Sequence, residues 1–191
     1  MRNNRRVHVL SVSCVTKRCK FFVAVAALAF LTAFAQAETI SLSGGQTDSS
    51  AHSLADEGAT PAVTSSNGNN KSTGSLTLTG DSTFKVDSDS TLTVTMQMAS
   101  NDYGSTRAIT LYKTGSGTLK VDGKRVLVGN VYIKDGTLSL NFTGSGGSFL
   151  SNNIVTVDGA SAVLDGAGAI INYSYRTGEL NIKNGGTVNN S

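Results

Sequence analysis

Acid–base and nucleophilic chemistry need partners that this sequence supplies sparingly. Two histidines occur, and only His52 lies beyond the N-terminal leader described below. It stands in a polar stretch, far in sequence from any serine on a structured turn. A Ser-His-Asp relay needs its three side chains within hydrogen-bond reach, so His52 is read as a solvated side chain. Both cysteines, Cys14 and Cys19, fall in the leader, and no thiolate chemistry is expected after it. Asp87 and Asp89 form one close acidic pair, beside Lys85. Glycan cleavage needs clustered carboxylates with a basic residue on one face. Their place between Phe84-Lys85-Val86 and Leu92-Thr93-Val94 reads instead as a solvated corner. The pair would hold calcium only weakly, and no Gly-Gly-x-Gly-x-Asp nonapeptide is present; Gly144-Ser145-Gly146-Gly147 lacks the aspartate. No metal site and no catalytic residue are assigned.

Other motifs are weaker still. Gly115-Ser116-Gly117 has the glycines of a phosphate loop, but neither Lys-Ser/Thr nor a helix start follows, so it reads as a turn and no cofactor is expected. Lys124-Arg125 is a lone basic pair. The Asn-x-Ser/Thr triplets beginning at Asn70, Asn141 and Asn172 read as chance matches in a chain rich in these residues. Five tyrosines, Tyr103, Tyr112, Tyr132, Tyr173 and Tyr175, are candidates for ligand stacking on outer faces. Tyr173 and Tyr175 share one side of a strand near Arg176, and these three residues are the candidate binding face.

The elements that must carry such residues are short strands. From Thr73 onward, pieces such as Ser75-Leu76-Thr77-Leu78-Thr79 alternate with period two, as half-buried strands do, and Gly, Asn and Asp mark the turns between them. Within Lys113 to Phe142, Gly117-Thr118-Leu119-Lys120-Val121 returns nineteen residues later as Gly136-Thr137-Leu138-Ser139-Leu140. A unit of about 20 residues cannot bury its own apolar side and must stack on its neighbours. The anchors Leu76, Leu92, Leu119, Leu138, Val163 and Leu180 recur with longer gaps at two polar inserts, 99–107 and 143–148. Insertions confined to corners favour a parallel β-helix over an antiparallel sandwich. The expected architecture is all-β, with about six coils over residues 73–191. Leu119 and Leu138 should lie inside, one above the other. Residues 38–72 are polar and low in complexity, and read as a mobile lead-in or N-terminal cap.

Charge separates the leader from the rest. Six basic residues precede Lys20 or include it, with no acidic residue before Glu38. The remaining ten basic residues face thirteen acidic ones, a net of −3. The basic residues after the leader are scattered, so nucleic acid is not an expected partner. Residues 1–37 have the parts of a secretory signal peptide. They are a basic n-region, the apolar run Phe21 to Phe34, and Ala35-Gln36-Ala37 with small residues where a signal peptidase reads. Cleavage is expected after Ala37. The membrane is then a partner only during export.

The repeat resembles the autotransporter-associated β-strand repeat of bacterial passenger domains. The residues that carry the likeness are Lys113-Thr114-Gly115-Ser116-Gly117-Thr118-Leu119 and Asp135-Gly136-Thr137-Leu138-Ser139-Leu140, with looser matches at Asp89–Val94 and Gly185–Val188. It covers about residues 73–191. The resemblance implies a right-handed parallel β-helix at, or released from, a Gram-negative cell surface, or periplasmic where no translocator serves it. It implies adhesion or surface display rather than catalysis, with host or matrix glycans or proteins as partners. That family's C-terminal barrel has no counterpart in this sequence, which stops in mid-repeat with no alternating barrel strands. Two other readings stand beside it: a carbohydrate-active β-helix enzyme, and a truncated remnant without function. An open last coil would also invite self-association.

Overall fold

Alternation of inward and outward side chains decides where each strand sits. The structure, a computed structural model, describes residues 37–100, 109–122, 126–141, 154–166 and 179–189. The first coil holds β1 (Ile40–Ser43), β2 (Thr47–Asp48) and β3 (His52–Leu54). The second holds β4 (Val63–Ser66), β5 (Asn69–Ser72) and β6 (Leu76–Leu78), and the third β7 (Ser82–Val86), β8 (Thr91–Val94) and β9 (Met98–Ser100). Next come β10 (Thr110–Thr114), β11 (Thr118–Asp122) and β12 (Val126–Leu127). Three further rungs follow: β13 (Asn130–Ile133) with β14 (Gly136–Asn141), β15 (Ile154–Asp158) with β16 (Ala162–Asp165), and β17 (Glu179–Lys183) with β18 (Thr187–Asn189).

Each strand pairs in parallel with its counterpart in the next coil. Three walls result. The first runs β1-β4-β7-β10-β13-β15-β17, the second β2-β5-β8-β11-β14-β16-β18, and the third β3-β6-β9-β12. The fold is a parallel β-solenoid. Two walls are seven strands deep, which at about 4.8 Å per strand makes them roughly 29 Å tall. Among the described residues, five of these rungs come from the stretch after residue 73, where about six coils were expected.

The interior is built of columns. On the second wall Asn70, Leu92, Leu119, Leu138, Leu164 and Val188 lie in register. Leu119 and Leu138 are therefore stacked, and both are buried. The anchor spacing misassigned three members. Val163 points outward, because Ala162 and Leu164 take the inward positions of β16. Leu76 and Leu180 belong to the third and first walls, not to this column. On the first wall the inward column is Ile40, Val63, Phe84, Lys113, Ile133, Val157 and Ile182. Fully burying a Leu- or Val-sized side chain contributes about 1.5–3 kcal/mol.

Residues 38–72, expected as a mobile lead-in or N-terminal cap, hold β1 to β5, which pair in register with the strands that follow. Polar residues fill some of their inward positions, beside Leu42, Leu54 and Val63: Asn70 and Ser65 bond one another, while Ser72 Oγ is buried with no partner among the described residues. Asn70 is buried. Its Oδ1 accepts from the Gly45 and Gln46 amides at 3.0 and 2.9 Å. Its Nδ2 donates to Ser65 Oγ and the Ser66 carbonyl at 3.0 and 2.9 Å. Such an asparagine cannot serve as a glycan acceptor.

Candidate binding face

The outward positions of the first wall bring together five polar and aromatic side chains. Tyr112 on β10 and Tyr132 on β13 are paired across adjacent strands. Their ring centroids are 6.0 Å apart and tilted by 40°, a geometry that aromatic quadrupoles favour. Lys134, just after β13, places its Nζ 4.6 Å from the Tyr112 centroid and 5.6 Å from that of Tyr132. An ammonium over an exposed ring is held by about 0.5–1 kcal/mol. The Tyr132 hydroxyl donates a short hydrogen bond to Asp158 Oδ2, one rung on. Asn184 Nδ2 donates to the other carboxylate oxygen at 2.6 Å. The bond to Asp158, and then burial, push the Tyr132 phenol up. The same bond, followed by that from Asn184, pulls the Asp158 carboxyl down. The result is a fixed aromatic step with a cation on one flank and an ionised carboxylate on the other. It can stack on C–H faces and exchange hydrogen bonds with hydroxyls. It offers no proton poised to move at neutral pH.

Tyr112 and Tyr132 are thus on an outer face, as expected. Tyr173, Tyr175 and Arg176 lie outside the described residues, as do Tyr103, Lys124, Arg125 and Ala35; Ala37 opens the described chain. Lys134, Asp158 and Asn184 escaped the sequence reading because each sits in a Gly-containing turn. Their common signal is distance: Tyr132, Asp158 and Asn184 are spaced 26 residues apart, one coil each.

His52 is not a free solvated side chain. Its Nδ1 meets Glu38 Oε2 and its Nε2 meets Asp48 Oδ2, both at 2.6 Å. Burial works to lower the His52 pKa, but the bonds to Glu38 and Asp48 outweigh it and the net direction is up. The Asp48 carboxyl is held down, first by the Ser50 amide and, against some burial, by His52. When protonated, the ring donates from both nitrogens and has no lone pair with which to activate a serine. His52 and Asp48 instead occupy inward positions of the first coil, above Leu76 and Ser72. They close that end of the core with a polar lid.

Asp87 forms a half-exposed pair with Lys85 at 3.4 Å, worth little in stability, and Asp89 sits in the left-handed turn region at φ 57°. The corner reading holds for both. Lys113 is different: it is fully buried within an apolar column. Its Nζ donates to the carbonyls of Thr114, Gly115 and Asp135 at 3.0, 2.5 and 3.0 Å, so the ammonium binds the corners of two successive coils. Gly136 makes room for it. A Cβ there would stand 2.8 Å from Nζ and 2.4 Å from the Gly115 carbonyl, at φ 65°. Burial lowers the Lys113 pKa to about 8, with Asp135 opposing.

No protein-family model matches this chain, and no curated protein or solved structure matches it. The solenoid and its faces therefore carry the functional reading.

Proposed function

We propose that the chain is a surface-displayed binding protein of the autotransporter-passenger type, secreted to or held at the surface of a Gram-negative cell. The observation that carries this reading is the Tyr112–Tyr132 step with Lys134 and Asp158 on a tall parallel wall. An exposed ladder of this kind suits a ligand that is itself long and presented on a surface. Stacking and hydroxyl exchange favour a glycan of a host or matrix surface, bound along a face and not in a cleft. The repeat motif of Lys113–Leu119 supports the same assignment, since Lys113 and the glycines around it build the coil corners here. Export follows the signal-peptide pattern of residues 1–37.

The test is a binding array of surface glycans and matrix proteins, run beside a reducing-end release assay on the same glycans. Binding to one or more glycans, with no product released, is expected. Protein-only binding would overturn the glycan assignment. Release that disappears in an Asp87→Asn, Asp89→Asn double variant would replace the binding reading with the enzyme.

A further inference from the structure

Lys134 shows what the tyrosine step can hold. Its side chain is exposed, yet its Nζ stands 4.6 Å from the Tyr112 centroid and 5.6 Å from that of Tyr132. The negative faces of the two rings attract it there. Asp158, one rung on, accepts from Tyr132 and Asn184. A carboxylate has about four lone-pair sites, so these two bonds leave room for further donors. The neighbouring cations are already engaged. Lys85 lies 3.4 Å from Asp87, and Lys183 is in register with Asp158. Two rings and an ionised carboxylate around one ammonium make a cation site that the protein fills with its own side chain. Beyond residue 37 the sequence carries a net charge of −3, which also favours a cationic ligand.

Building on the glycan reading above, we propose that this face binds a glycan of amino sugars with free, protonated amines, and that Lys134 is the internal stand-in for that ligand. A sugar ammonium takes the place of Lys134 Nζ over the two rings, with Asp158 as its counter-ion. The lysine, already exposed, moves out into water. One cation thus replaces another, and the attraction to the rings is kept. A neutral hydroxyl in the same place gives that attraction up. An acidic sugar is repelled both by the ring faces and by Asp158. The amine therefore sets the specificity of the face, and the tyrosines and Asp158 read it.

The full chain is titrated with glucosamine oligomers and with N-acetylated oligomers of the same length, at low salt and mildly acid pH. The two ligands share a backbone and differ in charge. The free-amine form should bind about tenfold tighter, and the difference should shrink as salt is added. Lys134→Ala should tighten the free-amine form about threefold, because the competing ammonium is gone. Asp158→Asn, which keeps an acceptor for Tyr132, should weaken it about tenfold. All three proteins should melt alike. Equal affinity for the two forms, or weaker binding of the free amine by Lys134→Ala, would overturn the proposal and leave the glycan reading standing. Preference for a carboxylated glycan, lost in Lys134→Ala, would replace it with an anion site. Binding of no glycan of any charge would overturn both readings.

Discussion

Lys113 is the residue on which most of the corner geometry converges. A buried ammonium survives here because three backbone carbonyls from two coils take its three protons. Unpaired, those carbonyls would cost about 1–3 kcal/mol each, offset in part by the burial cost of the charge. We expect Lys113→Met to lower stability at pH 7 by roughly 1–3 kcal/mol in denaturant titration. The pH dependence has a definite sign. The unfolded chain keeps this proton to its ordinary 10.5, the folded chain only to about 8. Between those values the unfolded state binds more protons, so this group's contribution rises with pH and is lost as pH falls through 8. The Tyr132 phenol, raised above its ordinary 10.0, acts in the opposite direction beyond pH 10. Melting temperatures from pH 8 to 10 should therefore rise more, or fall less, in the parent than in Lys113→Met. Identical slopes would mean that the lysine does not titrate in this window.

At the scale of elements, register is the property to test. Leu138 is inward and stacked on Leu119, while Thr137 beside it points outward between Thr118 and Val163. Leu138→Asp should cost several kcal/mol by burying an unpaired carboxylate, and Thr137→Asp under about 0.5 kcal/mol. Ser139 would be a poor outward control, because its hydroxyl faces the Asp165 carboxylate at 3.4 Å. Equal losses in the two variants would show that the strand is slipped by one. These central strands were legible in advance because their inward positions are Leu, Val and Ile and their turns hold Gly. The first two coils were not, for the same reason inverted. Asn70, Ser65 and Ser72 take buried positions there, with Asn70 fastening the backbone, so an alternation sought in apolar residues is hard to see. Lys113 was hidden likewise, as a charged letter inside an apolar column. Val163 was taken for an anchor because three consecutive residues of β16 are apolar, and only pairing decides which face each takes. The tyrosine step was visible as two outward aromatics, but Lys134 follows Tyr132 in a turn and Asp158 and Asn184 come from the next two coils, which no local pattern links.

For the whole molecule, the polar lid at the first coil should make its stability depend on pH. The His52 pKa is raised above its ordinary 6.5, so its contribution is complete below 6.5 and is lost as pH rises through the folded value. Asp48 is lowered from 3.8, so its contribution is present above 3.8 and is lost on acidification through its folded value. The lid is strongest between these limits. Amide hydrogen exchange, corrected for intrinsic rates, should show β1 and β3 better protected at pH 5.5 than at pH 8, and His52→Gln should remove the difference. Unchanged protection in the variant would assign the pH effect elsewhere. The central claim concerns the opposite feature, the outer face of the first wall. It is tested most directly by affinity for a glycan captured on the binding array, compared between the parent, Tyr112→Ala with Tyr132→Ala, and Thr91→Ala with Thr118→Ala on the second wall. Loss of about tenfold or more in the tyrosine variant is expected, with the threonine variant unchanged and all three melting alike. Equal affinity in the tyrosine variant and the parent would contradict the assignment of that face.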